Sequence, residues 1–164
     1  MLRKVREVVP ADGPLVVWRL GSQEYPLYSG EGARLYGARW NYPGTPVIYT
    51  AGSLAGAIVE VLTRTGRVIP PNVFASVRIL IPLDLEFEDV ELGSQLGWDE
   101  PLPTNLTRDI GASWLRHNES PLLRVPSVVT RHEDNWLINP RHPRAQEINV
   151  EPEVEFRWDR RLFG

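Results

Sequence analysis

The sequence of 164 residues holds no cysteine, a single methionine and only three histidines. Without cysteine there is no disulfide, no thiolate nucleophile and no zinc–cysteine site. His117, His132 and His142 lack metal-ligand spacing, so no metal site is expected. Long apolar runs are also missing. The best of them, residues 73–81, ends at Pro82 and is interrupted by Arg78. It falls far short of the roughly 20 residues a membrane-spanning helix needs. Residues 1–14 carry basic side chains without the apolar stretch of a secretory signal, so a cytoplasmic location is expected. The phosphate-cradling, metalloprotease and serine-hydrolase motifs are absent. Gly30 and Gly32 resemble the start of a dinucleotide fingerprint, but no strand is read before them and no helix after them. A net charge of −3 and a pI near 5.7 argue against a general nucleic-acid binder, while leaving room for one local basic groove.

What is present points to one folded domain spanning residues 1–164, with residues 1–14 read as a loose arm. Hydrophobic residues make up 42% and charged residues 24%, values that exclude a disordered chain. Lys4 is the one lysine among 18 basic residues. An arginine bias arises from base composition, but arginine also makes planar, bidentate contacts with phosphate or carboxylate. Six tryptophans are many for this length, enough for a core and for a wall against a flat ligand.

Periodicity and punctuation predict a strand at 16–20 and a long loop over 21–37. Short strands at 38–41 and 47–50 follow, joined by a turn at Tyr42-Pro43-Gly44-Thr45. The clearest helix runs between Ser53 as N-cap and Gly66 as stop, with Leu54, Ala57, Ile58, Val61 and Leu62 along its apolar stripe. A strand is predicted at 73–81, a helix at 106–117 weakened by Gly111, and strands at 122–130, 147–150 and 154–158. The class is α+β, with more strand than helix.

Three local features carry chemistry. Arg19 sits inside the apolar run VVWRL, and Arg39 between small residues and Trp40. A buried strand arginine needs a partner, either an internal carboxylate or a ligand phosphate. Glu60 flanks the apolar stripe of its helix, one turn after Gly56, whose use suggests a close approach. The plain alternative is a surface pair with Arg64, four residues on. Ser127 shares an apolar strand face with Leu123, Val125 and Val129, so its hydroxyl needs a partner. No neighbouring histidine would make it a nucleophile.

Taken together, these segments resemble the RES domain family. The resemblance covers about Trp18 to Leu162. It rests on WRL at 18–20, GARWNYPGTPVIYT at 37–50, Ser53, Glu60, LLRVPSVV at 122–129, NWLINPRHP at 135–143 and DRRL at 159–162. The family takes its name from an Arg, a Glu and a Ser, which Arg39, Glu60 and Ser127 match. The resemblance implies a compact mixed fold like that of ADP-ribosyltransferase toxins, a strand-rich core flanked by helices. It implies a toxin of a bacterial type II toxin–antitoxin pair that takes NAD as substrate, with no prosthetic group. NAD would be cleaved at the nicotinamide–ribose bond, with water or phosphate as acceptor. It further implies an Xre-like antitoxin as partner, DNA reached only through that antitoxin, and a higher-order complex. Under this reading Arg39, Glu60 and Ser127 are catalytic. Arg19 and Arg39 hold pyrophosphate, Tyr28, Trp40 or Tyr49 stacks on a ring, and Ser127 binds the ribose or orients Glu60. Asn135 is a weaker binding candidate, and Asn139 either binds or caps a turn.

The nearest alternative uses the same site to transfer ADP-ribose to a protein side chain. A non-catalytic nucleotide-binding module is a more distant one. An RNA-cleaving enzyme would need a basic groove with a His or Lys acid–base pair, which this chain does not offer.

Overall fold

The computed structural model describes residues 2–5, 13–66, 68–92 and 97–163. In chain order the elements are β1 (Leu2–Val5), β2 (Leu15–Ser22), α1 (Glu31–Tyr36), β3 (Ile48–Ala51), α2 (Leu54–Thr65), β4 (Phe74–Ile81), β5 (Phe87–Val90), α3 (Asn105–His117), β6 (Leu122–Pro126), β7 (Asp134–Ile138), β8 (Asn149–Val150) and β9 (Val154–Phe156). Two 3₁₀ turns, Pro143–Glu147 and Arg160–Leu162, complete the chain.

All strands join one nine-stranded sheet in the order β1-β5-β6-β7-β3-β2-β4-β8, with β9 also on β4. Every pairing is antiparallel except β5 with β6. Alternation divides the central strands between two buried faces. On β7, Trp136 and Ile138 enter a cluster with Val17, Ile48, Val77 and Ile79, while Leu137 enters one with Trp40, Trp114, Leu123 and Val125. A third cluster seats α2, where Ala57 packs with Leu20, Ala51 and Phe74.

The α+β class and the strand-rich core are as expected, and Ser53 and Gly66 bound α2. Several elements differ from the reading of the sequence. Residues 2–5 of the presumed arm form an edge strand paired with β5, while residues 1 and 6–12 lie outside the described residues. The presumed 21–37 loop contains α1, so a helix does follow Gly30. Residues 38–41 make a single bridge, Ala38 to Asn41, because the Asn41 side chain takes over the bonding: its amide nitrogen donates to Ala33 O and Tyr42 O, both at 2.9 Å. The strand predicted at 122–130 ends at Pro126, which leaves Ser127 in the following turn. β5 and β7 carried too little alternation to be predicted.

Gly111, a weakness of α3 on propensity, is required by packing. A β-carbon there would stand 1.7 Å from Trp40 O. The helix therefore rests directly on the backbone of the segment that carries Arg39. Gly111→Ala is expected to force the two apart, at about 1–3 kcal/mol for overpacking. In thermal melting this reads as a fall in Tm of roughly 3–10 °C. An unchanged Tm would show that the contact is not close.

Candidate active site

The sheet is nearly parted at one place. β2 and β3 share a single residue pair, Trp18 with Ala51, although β2 pairs with β4 along eight residues and β3 with β7 along four. A cleft of two lobes opens beside this parting, under α2. The smaller, of about 90 Å³, is lined by Trp18, Arg19, Ala51, Ala57 and Val61 among others. The larger, of about 600 Å³, is lined by Arg39, Trp40, Thr63, Pro101, Pro103, Val125, Pro126, Val128 and Val129 among others. Tyr49, Glu60, Arg64 and Asn135 line both lobes and mark their junction.

Glu60 reaches the junction because α2 turns its Ala57–Val61 side into the third core cluster and carries Glu60 along its edge. Its Oε1 accepts from Asn135 Nδ2 at 2.7 Å and from Ser127 Oγ at 3.0 Å. Among the described residues, the surface pair with Arg64 is not formed. Oε1 is thus pinned by two neutral donors. Ser127 is only 2% exposed, and its Oγ also accepts from Thr130 N at 3.2 Å. It bonds the Glu60 carboxylate and lines neither lobe.

The residue approaching Gly56 is Glu133, not a ligand. A β-carbon at Gly56 would lie 2.6 Å from Glu133 Oε2. That same oxygen accepts from Ser53 Oγ at 2.8 Å, while Ser53 Oγ caps Gly56 N at 2.9 Å. Glu133 O accepts from Ser127 N at 2.9 Å, which ties the start of α2 to the Ser127 turn.

Arg19 and Arg39 occupy different lobes, not adjacent strands. Arg19 Nη1 donates to Tyr49 O at 2.8 Å across the parting, and its buried Nε has no hydrogen-bond partner. Burial, with the charge of Arg64 second, pulls its pKa down to about 10, so it remains a cation. Arg39 Nη1 donates to Trp98 O at 3.1 Å and Nη2 to Pro101 O at 3.2 Å. Burial lowers its pKa too, against the opposing charges of Glu60 and Asp99. Arg64, read from the sequence only as a surface partner of Glu60, is exposed and belongs to the cleft. Its i+4 spacing from Glu60 was the available signal.

The aromatic candidates separate. Tyr49 lines both lobes. Its hydroxyl donates to Asn41 Oδ1 at 2.8 Å and accepts from Trp40 N at 3.1 Å, and burial pushes its pKa well up. Trp40 borders the larger lobe but is 3% exposed, packed with Trp114 and Leu137, which leaves no open ring face for stacking. Tyr28 packs against the first core cluster and lines neither lobe; burial pushes its hydroxyl up to about 12. Of the two asparagines, Asn135 belongs to the site. Asn139 is structural: it donates to Asn118 Oδ1 and accepts from Arg141 N in the turn after β7. Among the described residues no cluster of three His, Asp or Glu side chains is arranged for a metal ion.

A family model for the RES domain matches residues 16–159. "Toxin Res" of Photorhabdus laumondii is 34% identical over 153 residues, covering 90% of this chain and 97% of that protein. "Prs ADP-ribosylating toxin" of a Sphingobium species is 29% identical over 162 residues, covering 89% and 95%. A chain in the crystal structure of the M. tuberculosis MbcT–MbcA toxin–antitoxin complex superimposes with a TM-score of 0.67, covering 87% of this chain and 84% of that one. At 19% identity that likeness speaks for the fold. The match over residues 16–159 takes in both lobes of the cleft and the three residues that meet at Glu60 Oε1, and the chain belongs to the RES domain family.

Proposed function

We propose that this protein is the toxin of a bacterial toxin–antitoxin pair and that it consumes NAD by cleaving the nicotinamide–ribose bond. The observation that carries the reading is Glu60: a carboxylate held through one oxygen by Ser127 and Asn135, at the junction of a cleft flanked by arginines. The names of the relatives, toxins with one described as ADP-ribosylating, support it.

In the reaction the bond from ribose C1′ to the nicotinamide nitrogen breaks, and its electron pair leaves with nicotinamide. The ribose passes through an oxocarbenium-like state with positive charge near C1′. Glu60 stabilises that charge electrostatically. Its two bonding partners are neutral, so the field it presents is not cancelled. Water or phosphate then bonds to C1′ and gives up a proton. Arg19 holds the pyrophosphate at the smaller lobe, Arg39 borders the larger one, and Tyr49 offers a ring at the junction.

The second reading transfers ADP-ribose to a protein side chain through the same site. It is favoured by the name of the Sphingobium relative and differs only in the acceptor. An Xre-like antitoxin covers the cleft in either case. The chain works in the cytoplasm, where NAD is available, and meets DNA only through the antitoxin in a higher-order complex.

Purified protein is expected to release nicotinamide from NAD, with a rate that responds to phosphate if phosphate is the acceptor. Glu60→Gln should lower kcat by roughly 10²–10³-fold with the fold intact. No release from a folded sample, with radiolabel instead appearing on a lysate protein, would select the transferase. Ser127→Ala and Asn135→Ala should each lower kcat roughly tenfold with little change in KM, since each removes one bond to the charged oxygen. Expression of the chain alone should arrest bacterial growth and Glu60→Gln should relieve it; harmless wild type would overturn the toxin reading.

A further inference from the structure

We infer that Arg64 is a substrate-binding residue which, paired with Arg19, forms the anion-holding end of the cleft. This rests on the reading of the cleft as the NAD site, and names which end takes the phosphates.

Arg64 stands one helical turn beyond Glu60 and lines both lobes. Other arginines of the chain commonly face a carboxylate: Arg78 meets Glu151 at 2.8 Å, Arg131 meets Asp99 at 3.1 Å and Arg144 meets Asp84 at 3.0 Å. Among the described residues no carboxylate pairs with Arg64. Within the smaller lobe it stands with another cation, Arg19. Arg64 and Arg19 repel, and that repulsion, after burial, is what lowers the Arg19 pKa. Arg19 also holds a buried Nε without a partner. Two unneutralised guanidiniums facing one lobe create a positive potential that an anion relieves. A diphosphate offers oxygens for both planar forks at once.

The larger lobe is different in kind. Arg39 already donates to two backbone carbonyls, and the nearby charges of Glu60 and Asp99 favour its cationic form against burial. Pro101, Pro103, Val125, Val128 and Val129 give that lobe an apolar wall suited to a ring. Surplus positive charge therefore sits at the Arg19–Arg64 end. Arg64, on the exposed rim, is the half whose removal does not disturb the sheet.

The test is calorimetric titration of the full chain with ADP-ribose at low and physiological salt, for wild type, Arg64→Gln and Arg64→Lys. Steady-state kinetics with NAD run beside it. Arg64→Gln should weaken ADP-ribose binding about tenfold at low salt and flatten the salt dependence. KM should rise in step, with kcat falling less, whereas Glu60→Gln acts on kcat. Arg64→Lys should recover part of the affinity, keeping the charge without the fork. Unchanged ADP-ribose affinity in Arg64→Gln, or no ADP-ribose binding by wild type, would overturn the assignment. Wild type that binds ADP-ribose but releases no nicotinamide would overturn the cleavage reading alone, and Arg64→Gln would still decide the anion site.

Discussion

The geometry of the cleft turns on one oxygen, Glu60 Oε1, and on the choice of partners for it. A half-buried carboxylate needs hydrogen bonds to remain where it is. Here they come from an amide and a hydroxyl, although Arg19, Arg39 and Arg64 all border the same cleft. An arginine paired with Glu60 would have satisfied it equally well and cancelled its field. Neutral donors fix its direction without cancelling its field, as the proposed cleavage through a cationic transition state requires. Three separate segments maintain this arrangement. The capped start of α2 brings Glu60, the turn after β6 brings Ser127, and β7 brings Asn135. Glu133 joins the first two through its side chain to Ser53 and its backbone carbonyl to Ser127 N.

The cationic side is made by leaving the sheet incomplete. With a single residue pair between β2 and β3, a guanidinium takes the position that ladder bonds would fill, and Arg19 donates to Tyr49 O there. Burying a guanidinium in this way is costly, as the lowered Arg19 pKa records, and Arg64 adds repulsion to it. A perturbed cation of this kind in a cleft fits the proposed binding of an anionic substrate.

Around these groups the scaffold is rigid for identifiable reasons. Asn41 is fully buried, its amide donates to backbone carbonyls, and its Oδ1 accepts from Tyr49, which in turn is held by Trp40 N. The absence of a side chain at Gly111 lets α3 lie against Trp40 O. Together these contacts hold the Arg39 segment between a helix and the sheet. Most of the tryptophan content serves packing: Trp40, Trp114 and Trp136 are core, and Trp158 stacks edge-on with Phe74, Phe156 and Phe163.

The sequence by itself determined the local elements and the identity of the candidate acid. Ser53, Gly66 and a 3.6-residue stripe define α2, and they put Glu60 on its flank whatever the rest of the chain does, because capping and amphipathicity act within a few residues. The β-branched run of β4 and the α+β class were legible for the same reason. The motif spacing also pointed to the family and, with it, to Arg39, Glu60 and Ser127. Only the tertiary structure decided how those residues work. That Ser127 and Asn135 converge on one oxygen, that Arg64 shares a lobe with Arg19 without pairing with Glu60, and that Tyr28 and Trp40 are given to the core all depend on which strands neighbour one another. Those contacts join residues as many as 75 positions apart, and the open β2–β3 pairing that creates the cleft has no signature in either strand alone. Periodicity reports which face of an element is apolar; it carries no information about which polar groups on other elements will meet there.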